Sequence, residues 1–383
     1  MRIGLYIGTF NPFHIGHRLS LQTVLSDFDL QRILVIPSGC ARKKSNEVSS
    51  ASTDRWSLLS YALANNDRCT LISTEINCDL ISYTADTLAY IRSIFPSDDL
   101  YLILGEDNAA RIASWYKYDV IADLAQFIII RRSESTSAGS FQDTKMQRNA
   151  FCGPVSDMSS SAIRNRILNG QSLSDCVDTH AEDYIYSYGL YMPKELQNEI
   201  HYIRAHQKAS RFRHTIGVVK TAMKLSELFK LDSRTIIEAA YLHDIAKELP
   251  HDMMVCFASS TGTDLGCSAI EPVLHAPAGA ALARTLFDID SGVYQAILLH
   301  CTLDSEMTLV DKVIFISDMI EPSRSYPAVE RLRTVFNSVR NEKDLNALLI
   351  LAIELNFCYI SSGGGTIHPA SVRALEKLKS ENT

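Results

Sequence analysis

Two histidines three residues apart stand where an apolar segment meets a helix-like segment near the start of the chain. Residues 3–17 read IGLYIGTFNPFHIGH, so an apolar strand runs into a Gly-Thr-Phe-Asn-Pro turn before His14 and His17 open a helix. A strand that ends in a glycine turn and leads into a helix presents backbone N–H groups to an anion. The two imidazoles share one face of the first helical turn and add donors for phosphate oxygens. The segment predicts a nucleoside triphosphate site at the carboxyl edge of a parallel sheet.

A second phosphate-binding pattern is a run of serines before a helix. Ser159, Ser160 and Ser161 precede an apolar-periodic helix that contains Arg164. The serines can cap the helix and bind phosphate, and the arginine adds a charge-assisted donor. Alone, the pattern is a common helix cap. Together with the first motif, a phosphate-binding role is favoured over a simple cap.

A third candidate site consists of histidines and aspartates in apolar surroundings in the second half of the chain. Burying the adjacent His243 and Asp244 within AAYLHDIAK is costly unless a bound metal compensates them. Any single histidine of this kind could be a core residue with satisfied hydrogen bonds, but that explanation does not extend to the whole set. Imidazole and carboxylate together suit iron, manganese or another borderline divalent metal. The candidate ligands are His214, His243, Asp244, His275, His300 and Asp318.

The elements that must position these residues differ between the two halves. Apolar strand-like runs alternate with helical patterns in the first half, which predicts βαβ units and a doubly wound, Rossmann-like parallel sheet. From residue 193 onward the patterning is helical almost throughout, which predicts an all-α domain. We therefore expect an α/β domain at 1–192 and a helical domain at 193–383. The predicted strands are 32–37, 69–73, 100–104 and 127–130, with helices at 53–64 and 84–94 and a polar surface loop at 133–143.

Composition limits the partners and the compartment. The 383 residues include 46% hydrophobic and 21% charged residues, which is typical of globular domains, and the formal charge of −7 disfavours general nucleic-acid binding. Nine scattered cysteines without a CxxC pair favour reduced thiols in a cytoplasm over disulfides or a zinc knuckle. No apolar run is expected to approach a membrane span, and no signal peptide is expected. The sequence leaves open whether the chain forms a homo-oligomer.

The N-terminal motifs resemble those of the HIGH-type nucleotidylyltransferases. The serine run with Arg164 is similar to the ISSTxIR element of that superfamily. The segment SYTADTL at 82–88, the GED at 105–107 and Trp115 resemble nicotinate mononucleotide adenylyltransferases, in which the tryptophan region holds the nicotinate ring. This resemblance implies Mg²⁺-assisted transfer of AMP from ATP to nicotinate mononucleotide, which yields nicotinate adenine dinucleotide and pyrophosphate. Nicotinamide mononucleotide is an alternative acceptor, whereas SYTADTL and Trp115 argue against phosphopantetheine.

The same resemblance implies roles for individual residues. Where the family shows Pro-Pro-His-Lys, residues 41–44 read ARKK, so only Lys44 stays in register. His14 and His17 would be catalytic. Nucleotide would be bound by Gly8, Thr9, Phe10, Lys44, Ser159, Ser160, Ser161 and Arg164, and the substrate by Thr84, Asp107, Trp115 and Arg132.

The second half resembles the HD superfamily of metal-dependent phosphohydrolases. The runs HDIAKE at 243–248, LHAPAGA at 274–280 and SDMIEPSR at 317–324 are similar to the YqeK-like branch, which cleaves diadenosine tetraphosphate symmetrically to two ADP. His275 and His300 go beyond the minimal H…HD…D set and imply a dinuclear iron or manganese centre that Asp244 bridges. Another nucleotide, such as an alarmone or a cyclic dinucleotide, is an alternative substrate, and a nucleotide-binding regulatory module without turnover is an alternative function. Asp244 and Lys247 would be catalytic, and Lys247, Arg211 and Arg324 would bind polyphosphate oxygens.

Overall fold

The computed structural model of the chain describes residues 1–39, 51–76, 83–131, 150–152, 156–262 and 271–382, and at 150–152 and 271 it describes the backbone alone. The chain divides into two compact units. The first comprises residues 1–165 and 173–185, and the second comprises residues 166–172 and 186–383. The predicted limits of the two domains, 1–192 and 193–383, remain a prediction.

The first unit is built on a parallel sheet of six strands in the order β3-β2-β1-β4-β5-β6. Every pair of neighbouring strands is parallel, as the alternation of apolar and helical segments predicts. The third strand is shorter than predicted, and the sixth strand was not predicted. The strands are β1 Arg2–Gly8, β2 Arg32–Pro37, β3 Cys69–Leu71, β4 Asp99–Gly105, β5 Gln126–Ile130 and β6 Ala150–Cys152.

Helices cover both faces of this sheet. Successive residues of a strand point to opposite faces, so Ile33 and Val35 of β2 join one core while Leu34 and Ile36 join the other. The predicted doubly wound α/β fold is therefore confirmed. The helices described up to residue 188 are α1 Ile15–Asp27, α2 Ser52–Leu63, α3 Thr84–Ile94, α4 Glu106–Ala109, α5 Tyr118–Leu124, α6 Ser160–Leu168 and α7 Thr179–Tyr188, with a 3₁₀ turn at Ile112–Ser114.

The order of the strands creates a switch point beside β1. The chain proceeds from β1 to β2 and β3 on one side and then returns to β4 on the other side. The loops that leave β1 and β4 therefore diverge and open a crevice at the carboxyl edge of the sheet, where such folds bind ligands. His14 and His17 follow β1 at this edge.

The second unit contains helices and, among its described residues, no strand, which confirms the predicted all-α architecture. The helices are α8 Lys194–His206, α9 Ala209–Phe229, α10 Ser233–Leu242, α11 His251–Ser259, α12 Glu271–Leu286, α13 Ser291–Leu299, α14 Leu309–Ile320, α15 Val329–Phe336, α16 Glu342–Ser362 and α17 Pro369–Asn382.

One helix of the second unit, α16, bears on the expectation that no apolar run approaches a membrane span. This helix is long and apolar enough to cross a membrane by length and composition, and 33% of its most apolar window is buried. One such helix is weak evidence for a span, because core helices of soluble proteins meet the same criteria. Leu345, Leu349 and Ala352 form a buried side of α16, which shows that part of its apolar surface packs within the unit.

Candidate functional site

The histidine pair of the first unit lies at the N-terminus of α1. His14 is the N-cap residue, and its backbone N–H donates to Nδ1 of His17 at 3.2 Å. Because Nδ1 of His17 accepts this bond, the neutral ring carries its proton on Nε2, which makes Nε2 a donor. The two rings lie 3.7 Å apart between centroids, and the ring of His17 stacks on Phe13 at 5.1 Å. The local sequence thus orients a histidine N–H donor beside a helix N-terminus.

A cleft of about 360 Å³ opens at the carboxyl ends of β1 and β4. This volume lies within the range of small-molecule binding sites. Asn108 and Arg131 line the cleft without having been predicted. The predicted residues that line it are Gly8, Thr9, Phe10, His14, His17, Ser159, Ser160 and Ser161.

The serine run and Arg164 hold the turn that precedes α1. Ser159 caps α6, since its Oγ accepts a hydrogen bond from Ala162 N–H at 3.1 Å. The hydroxyl of Ser160 donates to the carbonyl of Pro12 at 2.9 Å. Arg164 donates to the carbonyl of Asn11 at 2.8 Å. The predicted phosphate-binding segment therefore fixes the shape of the turn that carries the histidines.

Arg55 supports the same turn from another side and was absent from the predicted site residues. Its side chain is buried and donates to the carbonyls of Thr9 at 2.8 Å and Ser38 at 2.7 Å. A signal was visible in the sequence, because an arginine opens the second predicted helix. Its partners were not visible, because they lie at the ends of β1 and β2.

A second cleft of the first unit has aromatic walls. It has a volume of about 280 Å³ and is lined by Tyr83, Thr84, Trp115, Tyr116 and Ile121, so the structure brings the predicted Thr84 and Trp115 together. The rings of Tyr83 and Tyr116 lie 4.4 Å apart. Asp107 lies at the start of α4, directly after β4, and lines neither of these two clefts. Lys44, Arg132 and the predicted loop at 133–143 lie outside the described residues.

The metal-ligand candidates of the second unit come from five helices. His214 lies in α9, His275 in α12 and Asp318 in α14, whereas His243 with Asp244 follows α10 and His300 ends α13. At the two helix ends, Nδ1 of His243 lies 2.7 Å from the carbonyl of Ala240, and Nδ1 of His300 lies 2.7 Å from the carbonyl of Ile297. The last carbonyls of a helix lack partners within it, so each ring satisfies one. The carbonyls thereby orient the two imidazoles so that Nε2 of each ring faces the other candidate ligands.

The four candidate histidines converge on the carboxylate of Asp244. Its Oδ1 lies 3.1 Å from Nε2 of His275 and 3.6 Å from Nε2 of His300. Its Oδ2 lies 3.6 Å from Nε2 of His243 and 3.8 Å from Nε2 of His214. Asp318 completes the second side, with Oδ1 at 2.9 Å from Nε2 of His214. Each oxygen of Asp244 therefore faces its own pair of histidines.

The donor chemistry fits divalent metal ions. One group of atoms that could hold a metal comes from His214, His243 and Asp244, and a second comes from His275, His300 and Cys301. Burial lowers the pKa of His243 to about 4, so this imidazole is neutral, as a metal ligand must be. The pKa of Asp244 lies well below its usual range, because the neighbouring histidines outweigh the effect of burial.

Three predicted cations lie against the cluster. Arg211 donates to Oδ2 of Asp244 at 2.8 Å, and Nζ of Lys247 lies 2.8 Å from Nδ1 of His275. Arg324 donates to the carboxylate of Asp318. Arg211 and Arg324 remain partly exposed, so their unused N–H groups can reach a ligand. The structure thus places Arg211 and Arg324 beside the carboxylates of the cluster and Lys247 beside the ring of His275.

Two residues that support His214 were missed. Glu321 is buried, and its Oε1 lies 2.9 Å from Nδ1 of His214. Gly217 allows this approach, because a Cβ at that position would lie 2.2 Å from Oε2 of Glu321. Glu321 belongs to the SDMIEPSR run, and Gly217 follows His214 by three residues, but nothing local indicates that they meet.

Cys301 was also missed, although it adjoins a predicted ligand. Its Sγ lies 3.3 Å from Nε2 of His275 and 3.3 Å from Nε2 of His300. The five cysteines described by their side chains, Cys69, Cys176, Cys256, Cys301 and Cys358, are all free thiols.

Comparison with known proteins matches two separate parts of the chain to two different families. Residues 5–166 match the model of the cytidylyltransferase-like family, and residues 211–323 match that of the HD domain. A probable nicotinate-nucleotide adenylyltransferase of Saccharopolyspora erythraea is 34% identical over 190 residues, covering 50% of this chain and 89% of that protein. Its counterpart in Opitutus terrae is 30% identical over 195 residues, covering 51% of this chain and 100% of that protein.

Among solved structures, a predicted HD superfamily hydrolase involved in NAD metabolism from Clostridium acetobutylicum is 29% identical. The match covers 49% of this chain and 97% of that chain, with a TM-score of 0.45.

Proposed function

Because the first half of the chain belongs to the nicotinate-nucleotide adenylyltransferase family and an HD domain follows it, we propose a bifunctional enzyme. Residues 1–192 transfer AMP from ATP to nicotinate mononucleotide in NAD biosynthesis. Residues 193–383 hydrolyse diadenosine tetraphosphate symmetrically to two ADP. The proposal assigns each reaction to residues that lie within one compact unit, apart from the short segments around the division points.

The observation that carries the transferase assignment is the orientation of the histidine pair in the cleft. The acceptor phosphate attacks the α-phosphorus of ATP, a new P–O bond forms, and the bond to pyrophosphate breaks. Negative charge builds on the phosphate oxygens during this step. His17 Nε2–H, His14 and the N-terminus of α1 supply donors already positioned for such charge. Mg²⁺ carried by ATP would neutralise further charge.

The aromatic cleft supports the choice of a pyridine nucleotide as acceptor. Trp115, Tyr83 and Tyr116 provide ring surfaces on which a nicotinate ring can stack. Thr84 contributes a polar group to this cleft. We propose that this cleft holds the nicotinate ring while the phosphate faces the histidines.

The acceptor assignment is tested by comparing kcat/KM for nicotinate and nicotinamide mononucleotides in the full chain. We expect a preference of about 10²-fold or more for nicotinate, because a polar site built for the carboxylate is left unpaired by the amide. Equal or reversed values would make nicotinamide mononucleotide the acceptor and leave the transferase assignment intact. Absence of AMP transfer to either compound would overturn the transferase assignment.

The observation that carries the hydrolase assignment is the division of Asp244 between two histidine pairs. A carboxylate that presents each oxygen to a separate ligand group is suited to bridge two metal ions. His214, His243 and Asp318 would hold one ion, and His275 with His300 the other; iron or manganese suits these donors. When bound, the metals would polarise a phosphate oxygen and lower the pKa of water. Lys247, Arg211 and Arg324 then bind the remaining phosphate oxygens.

The hydrolase assignment is tested by incubating the full chain with Mn²⁺ or Fe²⁺ and diadenosine tetraphosphate. ADP as the single nucleotide product is expected, and equal amounts of ATP and AMP would contradict symmetrical cleavage. Turnover of an alarmone or a cyclic dinucleotide, but not of diadenosine tetraphosphate, would make that other nucleotide the substrate of the domain. Binding of nucleotide without turnover of any of them would make the domain a regulatory module.

A further inference from the structure

The second metal group contains a sulfur atom that the hydrolase assignment does not use. We propose that the Cys301 thiolate is a protein ligand of the metal ion held by His275 and His300, so that the two metal positions are chemically different. This inference rests on the proposed two-metal centre and adds the identity of one ligand to it. A thiolate would influence which type of metal ion binds at that position as well as how many protein ligands hold it.

The distances among the donor atoms fit one shared ion. Sγ of Cys301 lies 3.3 Å from Nε2 of both His275 and His300, and the two Nε2 atoms lie 3.1 Å apart. Metal bonds of about 2.0–2.3 Å at tetrahedral angles place neighbouring ligand atoms roughly 3.3–3.7 Å apart. Oδ1 of Asp244 lies at 3.1 and 3.6 Å from the same nitrogens and supplies the fourth donor. The four atoms can therefore surround a single ion after small adjustments of the side chains.

The end of α13 explains how two consecutive residues reach one ion. Neighbouring residues inside a helix point in different directions, about 100° apart, and do not share a ligand. The helix ends at Leu299, and the amides of Thr302 and Leu303 both return to the Leu299 carbonyl, at 3.1 and 2.8 Å. Leu303 then adopts a left-handed conformation with a φ of 54°. At this helix end, Sγ of Cys301 and Nε2 of His300 lie 3.3 Å apart.

The two metal positions consequently differ in softness. The position of His214, His243 and Asp318 offers nitrogen and oxygen atoms alone, whereas the other adds a thiolate. Thiolate ligands favour Zn²⁺, Fe²⁺ or Co²⁺ over Mn²⁺ and Mg²⁺. We therefore expect a softer ion at the Cys301 position than at the His214 position.

The test uses the metal-free full chain reconstituted with Co²⁺, whose thiolate complexes give a charge-transfer band in the near ultraviolet. Two cobalt ions per chain are expected, with a band that corresponds to one thiolate. Cys301→Ser should lose the band and weaken cobalt binding at one position by about 10-fold or more, since even the loss of an outer partner of a ligand costs that much. Cys256→Ser, at an exposed position of α11, is the matched control and should keep both the band and the original cobalt affinity.

Two cobalt ions without a thiolate band would overturn the assignment of Cys301 and leave the dinuclear centre standing. Binding of fewer than two cobalt ions without a thiolate band would overturn both the assignment of Cys301 and the dinuclear centre. If Cys301→Ser fails to fold, X-ray absorption of the unaltered zinc-loaded chain replaces it, with a Zn–S distance of about 2.3 Å expected. Alkylation mapped by mass spectrometry then identifies the sulfur: Cys301 should be protected with zinc and modified after chelation, and equal modification in both states would refute its role.

Discussion

His214, His243 and His300 all place Nδ1 against an acceptor, but the acceptor of His214 is a carboxylate rather than a carbonyl. Burial by itself lowers the pKa of His214, yet its hydrogen bonds with Asp318 and Glu321 raise the pKa above the ordinary value. A carboxylate partner makes an imidazole a stronger ligand and fixes its orientation. We infer that Glu321 tunes the His214 position, whereas Nδ1 of each of the other two rings faces a backbone carbonyl.

Gly217→Ala tests this role of Glu321 without altering a ligand. The added Cβ would meet Oε2 of Glu321 at 2.2 Å and displace it from His214. We expect the affinity for Mn²⁺ to fall by about 10–100-fold, measured by titration of the metal-free chain. Gly279→Ala, a second helical glycine of the same unit whose Cβ would meet Ile245 at 3.3 Å, should bind metal almost normally. Equal affinities for the two variants would contradict the assignment.

The ends of elements carry the chemistry in both units. In the first unit, the N-terminus of α1 offers backbone N–H groups that suit phosphate. In the second unit, the C-termini of α10 and α13 offer carbonyls that suit the Nδ1–H of a histidine. The N–H groups at the N-terminus of a helix therefore suit an anion, whereas the carbonyls at its C-terminus suit the Nδ1–H of an imidazole whose Nε2 can bind a metal.

Two helices of the second unit also share a pair of buried carboxyl groups. Glu199 of α8 and Glu238 of α10 are each 4% exposed, and burial together with the charge of Glu238 raises the pKa of Glu199 to about 8. Burial raises the pKa of Glu238 as well. The folded chain therefore holds a proton here that the unfolded chain, with a pKa near 4.5, releases earlier.

Glu199→Gln should change how stability depends on pH. In the original chain, stability falls as pH rises from about 4.5 to about 8, because the native state binds more protons than the unfolded state in that window. The glutamine cannot ionise, so the melting temperature of the helical unit should decline less between pH 5 and about 8. Thermal unfolding monitored by circular dichroism measures this. Glu376→Gln, at an exposed position of α17, should keep the original slope. An unchanged slope in Glu199→Gln would exclude the pair of carboxyl groups as the source of the pH dependence.

At the scale of the whole molecule, each site lies among residues of one unit. The histidine cleft is lined by residues of the first unit, and the metal-ligand cluster is formed by residues of the second. Each unit has its own buried apolar residues, so we expect a substitution at one site to leave the activity of the other near its original rate.

Reciprocal substitutions test the independence of the two activities. His17→Ala should lower kcat for adenylyl transfer by about 10²–10³-fold or more, because a donor for developing charge is lost, and should leave hydrolysis of diadenosine tetraphosphate near its original rate. Asp244→Asn should abolish hydrolysis and spare the transfer. Both rates are measured on each full-length variant. Loss of both activities in either well-folded variant would show that the sites depend on each other.

Some features of the fold and of the sites could be predicted from local patterns of residues. Alternating apolar and helical segments specify a parallel sheet, because buried strands and crossover helices differ in composition over a few residues. His14 and His17 could be recognised together because a single helical turn joins them. The metal-ligand candidates could be recognised because a polar residue in an apolar helix is conspicuous wherever it occurs.

Which of these residues meet, and which residues support them, could not be predicted from local patterns and depends on the tertiary fold. Glu321 and His214 are separated by 107 residues, and Gly217 matters because of the carboxylate that approaches it. The division of Asp244 between two histidine pairs, and the arrival of Cys301 at one of them, depend on how α9, α10, α12 and α13 pack. Local patterns encode the burial and secondary structure of a residue, whereas the partner across a core is set by the packing of all the helices at once.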